Sequence, residues 1–156
     1  MPTEENKAIV QRFIEEVWNK GNVAALDELM APNCVEHLDS PTNVPVPAKF
    51  QFSLEELKQF VSQFRSAFPD LHETVELQVA EGDLVVNRVT VRGTHTGEYR
   101  GMEFKGIPPT GKQVTWTFTE IVRIVDGKIV EHWMNDDAVG RLQQIGALPI
   151  PGQASS

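Results

Sequence analysis

QVTWTFTEIVRIVDGKIVEHWMN, residues 113–135, alternates so regularly that it can only be a strand, a tight turn and a returning strand. Val114, Trp116, Phe118, Glu120, Val122 and Ile124 fall on one face, and Thr115, Thr117, Thr119, Ile121 and Arg123 on the other. Asp126-Gly127 is the turn and 128–135 the return strand. One residue breaks the pattern. Glu120 stands in the middle of the apolar face, where a carboxylate must be hydrogen-bonded, charge-paired or protonated, because an unpaired buried charge is costly. Its partner depends on the register. A two-residue turn sets Glu120 across from Trp133 and sends His132 to the opposite face. A three-residue loop, Val125-Asp126-Gly127, sets Glu120 across from His132 and Phe118 across from Met134. The second register joins Val130 and Met134 to the apolar row and gives Glu120 an imidazole about 4.5–5.5 Å away between Cβ atoms, so it is the one expected.

Upstream of this hairpin the period is helical. Ile9, Val10, Phe13, Ile14, Val17 and Trp18 make one apolar stripe ended by Gly21. Asn22 can cap a short second helix carrying Val23, Leu26, Leu29 and Met30, which Pro32 stops. Residues 38–52 are too rich in proline for regular structure and read as a long loop or lid. Ser53 and Glu56 form a capping box that opens a third helix with Leu57, Phe60, Val61, Phe64 and Phe68, closed by Pro69. Alternation follows. Leu71, Val75, Leu77 and Val79 share a face, Glu81-Gly82-Asp83 turns the chain, and Val85, Val89 and Val91 line a strand over about 84–95. A long loop leads to Pro108-Pro109-Thr110-Gly111-Lys112, and Val139, Leu142 and Ile145 mark a final amphipathic stretch ended by Gly146. Helices first and an antiparallel meander afterwards predict an α+β fold, with the helices on one face of a curved sheet. One domain over 1–148 and a flexible tail over 149–156 are expected.

The 156 residues include 14 Lys or Arg and 22 Asp or Glu, a net charge of −8. With 40% hydrophobic and 23% charged residues the composition is that of a globular chain. The cations are scattered singly, which excludes a nucleic-acid or membrane-surface partner as the reading of choice. No apolar run is long enough for a membrane span, the start MPTEENK lacks the pattern of a signal peptide, and Cys34 stands alone. A cytoplasmic protein with a small-molecule ligand is the expectation.

Beyond Glu120 and His132, several residues are candidates for a site. Glu36 and His37 enter the Pro-rich loop, His95 sits at a strand end in Gly93-Thr94-His95-Thr96-Gly97, and Asp137 begins the last helix, where a carboxylate also serves as a cap. No H-x-x-x-H spacing supports a metal site. Trp116, Phe118, Met134 and Trp18 read as core or as the apolar wall of a pocket.

The order of elements and several motifs resemble the SnoaL-like polyketide cyclase or ester cyclase family, within the nuclear transport factor 2-like superfamily. The likeness rests on ENKAIVQRFIEEVWNKGNVAALDELMAPNCVEH, FRSAFPDLHETVE, RGTHTGEYRGMEFKGIPPTGK, RIVDGKIVEHW and GRLQQIGALP, in the family's order over most of 5–149. It implies a cone-shaped curved antiparallel sheet wrapped by the N-terminal helices, a deep apolar pocket, a homodimer through the outer sheet face, and chemistry without cofactor or metal. It also implies an acid/base Asp acting in an aldol closure. Aligned on GKIVEHW, that Asp falls on Met134, a neighbouring Gln falls on Phe118, and a pocket His falls on Glu120, while His132 and Asp137 keep family-like identities. Glu36 stands where the cyclases carry Asn. Methionine cannot transfer a proton, so the aldol mechanism is not carried over. The expectation is a cofactor-free enzyme of cyclase, isomerase, lyase or related hydrolase type, with Glu120, His132, Asp137 and Glu36 as catalytic candidates. Trp116, Phe118, Met134, His37, His95 and Trp18 are the substrate-binding candidates. The alternatives are a non-catalytic ligand binder and a dimeric scaffold of the same fold.

Overall fold

A computed structural model describes residues 2–38, 49–100 and 106–152. Helix α1 (Pro2–Arg12) runs directly into a π-helical segment, Phe13–Asn19, and a 3-10 turn at Val23–Ala25 leads into the short α2 (Leu26–Leu29). Strands β1 (Met30–Leu38) and β2 (Lys49–Gln51) precede α3 (Leu54–Ala67). Strands β3 (His72–Glu81), β4 (Leu84–Thr94), β5 (Gln113–Val125) and β6 (Lys128–Asp136) follow, and α4 (Ala138–Gln144) ends the fold. The expected capping box is formed: Ser53 Oγ accepts from the Glu56 N–H, and the Glu56 carboxylate accepts from the Ser53 N–H.

The six strands form one sheet in the order β2-β1-β6-β5-β4-β3. This corrects the expected cone-shaped antiparallel sheet in two respects. The sheet is mixed, because β1 runs parallel to β6 while all other neighbours are antiparallel. It is also open, with β2 and β3 as its edges, and is neither closed nor strongly curled into a cone. The parallel strand was hidden by Pro32, read from sequence as a helix stop. Proline lacks an N–H and is tolerated where a ladder is interrupted, and Pro32 lies in the irregular stretch between the Met30 and Val35 pairings with β6. The predicted loop over 38–52 is corrected at its ends, since Leu38 still belongs to β1 and 49–51 form β2, paired with β1, while its middle, 39–48, lies outside the described residues.

The helices cover one face of the sheet, here called the inner face. Val10, Phe13, Ile14 and Val17 of the first helix and Leu57, Val61, Phe64 and Ala67 of α3 meet Val85, Val89, Val91, Val114, Trp116, Phe118 and Val122 in one core. The Trp116 ring lies 5.9 Å from Phe64 and 5.3 Å from Phe68. Strand β3 departs from the expected alternation. A bulge between Val75 and Leu77 leaves Leu77 and Val79 on the open face, 63% and 52% exposed, while Glu73 keeps the inner side.

Candidate functional site

The hairpin at Asp126-Gly127 is a two-residue turn, with positive φ at both residues (51° and 74°), the geometry that matches strand twist. The three-residue loop preferred from sequence is not formed. Alone, this turn would send His132 to the outer face. A bulge restores it: Ile124 pairs with Ile129 but Arg123 pairs with Glu131, so Val130 is skipped and every later residue of β6 changes face. Val122 therefore opposes His132, and Glu120 opposes Met134 instead of His132. Glu120 and His132 meet as diagonal neighbours on the inner face.

Four neighbouring strands each contribute one polar side chain to this face. Glu36 of β1 is directly opposite His132 of β6, and Asn87 of β4 is directly opposite Glu120 of β5. His132 Nδ1 lies 2.6 Å from Glu36 Oε2, and its Nε2 lies 2.7 Å from Glu120 Oε2. Asn87 Nδ2 donates to Glu120 Oε1 at 3.0 Å. Glu36, Glu120 and Asn87 are 6%, 2% and 0% exposed. Each ring nitrogen of His132 faces a carboxyl oxygen, the geometry that favours an imidazolium donating from both sides. Burial opposes that charge, but the attraction of Glu36 and the hydrogen bonds to Glu120 and Glu36 outweigh it and hold the His132 pKa well above its ordinary value. The cluster thus carries two negative charges and one positive in an otherwise apolar face. Among the described residues no group of three or more His, Cys, Asp or Glu is arranged to hold a metal ion.

The other candidates are placed as follows. Trp116 and Phe118 line the inner face beside Glu120, both 4% exposed, and Met134 packs against the same core. His37 alternates with Glu36 and so lies on the outer face. Its ring stacks on Trp133 at 4.9 Å and its Nε2 reaches Glu131 at 2.8 Å, which separates it from the cluster. Asp137 caps α4, accepting from the Gly140 N–H at 2.9 Å. His95 is fully buried at the far end of β4, where its Nδ1 accepts from the Thr110 N–H at 3.3 Å. Burial holds its pKa below the ordinary value. Trp18 sits in the π-helical segment, edge-on to Phe60 and Phe64. A surface depression lined by Asp70, Arg92, Thr94 and Thr115 includes none of the cluster residues.

Three buried polar residues were not among the candidates: Arg141, which donates to Tyr99 Oη and Asp136, and two on the strands. Asn87 stands between Val85 and Val89 on β4, and Glu73 between Leu71 and Val75, the same interruption of an apolar row that singled out Glu120. Glu73 is 7% exposed, and burial, followed by the charges of Glu120 and Asp136, raises its pKa well above the ordinary carboxylate value.

The fold recurs in known proteins. Residues 8–145 match the family model of the SnoaL-like polyketide cyclases. The nogalonic acid methyl ester cyclase of Streptomyces nogalater is 27% identical over 134 residues, 83% of this chain and 89% of that one. Among solved structures, AclR from Streptomyces galilaeus superimposes with a TM-score of 0.76 at 31% identity, covering 95% of this chain and 89% of its own. IdmH from Streptomyces antibioticus gives 0.73 at 34% identity, with 90% and 98% covered. With a family match over nearly its full length, the chain belongs to the SnoaL-like polyketide and ester cyclase family of the nuclear transport factor 2-like superfamily.

Proposed function

We propose that this protein is a cofactor-independent enzyme that moves a proton on a small apolar carbonyl compound, polyketide- or ester-like, with Glu120 as the base. The observation that carries this reading is the Glu36–His132–Glu120 cluster itself. Three charges buried in an apolar face stabilise a fold less well than packed hydrophobic residues would, so their presence calls for a use. His132 donates from both nitrogens and is not free to accept a proton. Glu120 is the acceptor, with its second oxygen held by Asn87 and the first by His132. A proton taken from a carbon beside a carbonyl neutralises Glu120 and leaves the negative charge on the carbonyl oxygen of the enolate, so the total charge of the site is unchanged. Glu36 fixes the ring of His132 and keeps it charged. Trp116, Phe118 and Met134 supply the apolar wall. With Met134 directly opposite Glu120, an acid at that position is missing, and the reaction is of the isomerase, lyase or enolate-forming type instead of a copy of the aldol closure.

The test uses exchange of the activated C–H protons of methyl acetoacetate and ethyl benzoylacetate for deuterium, followed by proton NMR. The wild type should accelerate exchange and Glu120→Gln should lose the acceleration while keeping its circular dichroism spectrum. Equal rates in the two proteins remove Glu120 from the role. Met134 also favours a second reading, a ligand binder without chemistry, which no acceleration by the wild type would support. The exposed Leu77 and Val79 on the outer face support a homodimer through that face, measurable by sedimentation. No described helix is long and apolar enough to cross a membrane, in keeping with the cytoplasmic location we propose.

A further inference from the structure

Glu73 is the one buried acid that the Glu120 reading leaves without a task. Its backbone is firmly held: the Glu73 N–H donates to Asn19 Oδ1 at 2.7 Å, and Asn19 Nδ2 donates to the Glu73 carbonyl at 3.1 Å. Asn19 closes the π-helical segment, an insertion into helical geometry that often accompanies a site. The side chain is treated differently. Glu73 lies on the inner face of β3, opposite Val91, in the row of Leu71 and Val75. Its Oε2 is fully enclosed and has no hydrogen-bond partner among the described residues. A buried polar atom without a partner is a net loss to the fold, and a leucine here would pack without that loss. Like Glu120 and His132 it lies on the inner face of the sheet, and the charges of Glu120, Asp136 and His132 act on it. Burial first, and then the acids among these neighbours, disfavour ionisation and favour the neutral carboxyl, which has an O–H to give.

We propose that Glu73 is a second ligand-contacting residue of the site, donating its carboxyl O–H to an oxygen of the bound molecule at the other end from the carbon that Glu120 deprotonates. The inference rests on the acid/base reading of Glu120 and extends it to the substrate class: a compound whose carbonyl oxygen gains charge when the neighbouring C–H is broken. The C–H proton goes to Glu120, the C–H electron pair forms the enolate double bond, and the carbonyl electrons move to the oxygen, which accepts the Glu73 hydrogen bond. Return of the proton to carbon reverses each step. Two acids on one face thereby take different roles because their surroundings differ: Glu120 faces the hydrogen-bonding groups of His132 and Asn87, while burial and nearby carboxylates disfavour the charged form of Glu73.

The experiment measures 2-naphthol and phenol binding by fluorescence and calorimetric titration, because these hydroxyl compounds mimic an enolate and need no turnover. Glu73→Leu should weaken 2-naphthol binding about tenfold or more, Glu73→Gln should restore much of it through its own N–H donor, and His37→Ala, on the outer face, should retain it. Glu73→Leu should also raise the Tm by about 2–4 °C, a change that a structural role would reverse. Unchanged naphthol affinity in Glu73→Leu, no binding by the wild type, or a lowered Tm in that variant overturns the proposal. Weakened binding in Glu73→Leu together with no deuterium exchange by the wild type would instead leave Glu73 as a ligand contact and remove the acid/base reading. Unchanged binding with exchange intact would do the opposite.

Discussion

Replacing His132 by leucine exposes the electrostatics of the cluster most directly. The substitution removes the one positive charge and leaves Glu36 and Glu120, 6% and 2% exposed, without their shared partner. Breaking a buried charge pair costs about 3–5 kcal/mol, because the orphaned charge stays in low dielectric. Here two carboxylates are orphaned, but Asn87 still donates to Glu120, and protonation of either acid caps the loss, so the same range applies. For a chain of this length it corresponds to a Tm drop of about 6–20 °C at pH 7. The pH dependence then differs between the two proteins. In the wild type the folded His132 pKa is raised, so its contribution is fully present below the unfolded value near 6.5 and fades as pH climbs through the folded value. In His132→Leu that contribution is absent at every pH, so the gap between the two proteins narrows as pH climbs through the folded His132 value. Urea melts of both proteins from pH 4.5 to 9 measure the difference. A loss below about 1 kcal/mol at pH 7, or a difference that does not shrink as pH rises, would refute the charged cluster.

Three further outcomes follow from the placement of single residues. His37→Ala should leave deuterium exchange unchanged and cost at most about 1 kcal/mol in a urea melt, since the residue lies on the outer face against Trp133 and Glu131. Cys34 is buried, and burial, with the charges of Glu36 and Glu131, pushes its thiol up to about 12; a disulfide reagent at pH 8 should modify it only in denaturant. Gly97→Ala should lower the Tm sharply or abolish soluble expression, because a Cβ there would meet the Ser66 carbonyl oxygen at 2.0 Å.

How much of this was legible in the sequence depends on which interaction decided each feature. The capping box, the strand alternation of β4 and β5, and the interruption at Glu120 are local patterns, and the structure keeps them. The pairing of Glu120 with His132 was read from a loop length that does not occur. It arises instead from the skipped Val130, a choice between a turn and a bulge whose flanking residues are equally suited to both. Glu36 was a candidate at the entry to the Pro-rich loop with no partner assigned, because β1 pairs with a strand about a hundred residues later and no local signal reports a parallel partner.

Glu73 and Asn87 show that the signal used for Glu120 was applied too narrowly. Each interrupts a row of valines and leucines on the covered face of its strand, and the same test, one polar residue flanked two positions away by apolar ones, finds all three. On β3 the test was obscured because Leu77 and Val79 continued the row in sequence while the bulge beyond Val75 turned them outward. The sheet order then does what no single strand can. It sets Glu36, His132, Glu120 and Asn87 side by side on four consecutive strands, directly or diagonally opposed, while Glu73 on the next strand stands opposite Val91, four residues along β4 from Asn87. An interruption in one strand is an expense to the fold; four that meet across a sheet are an instruction about what binds there.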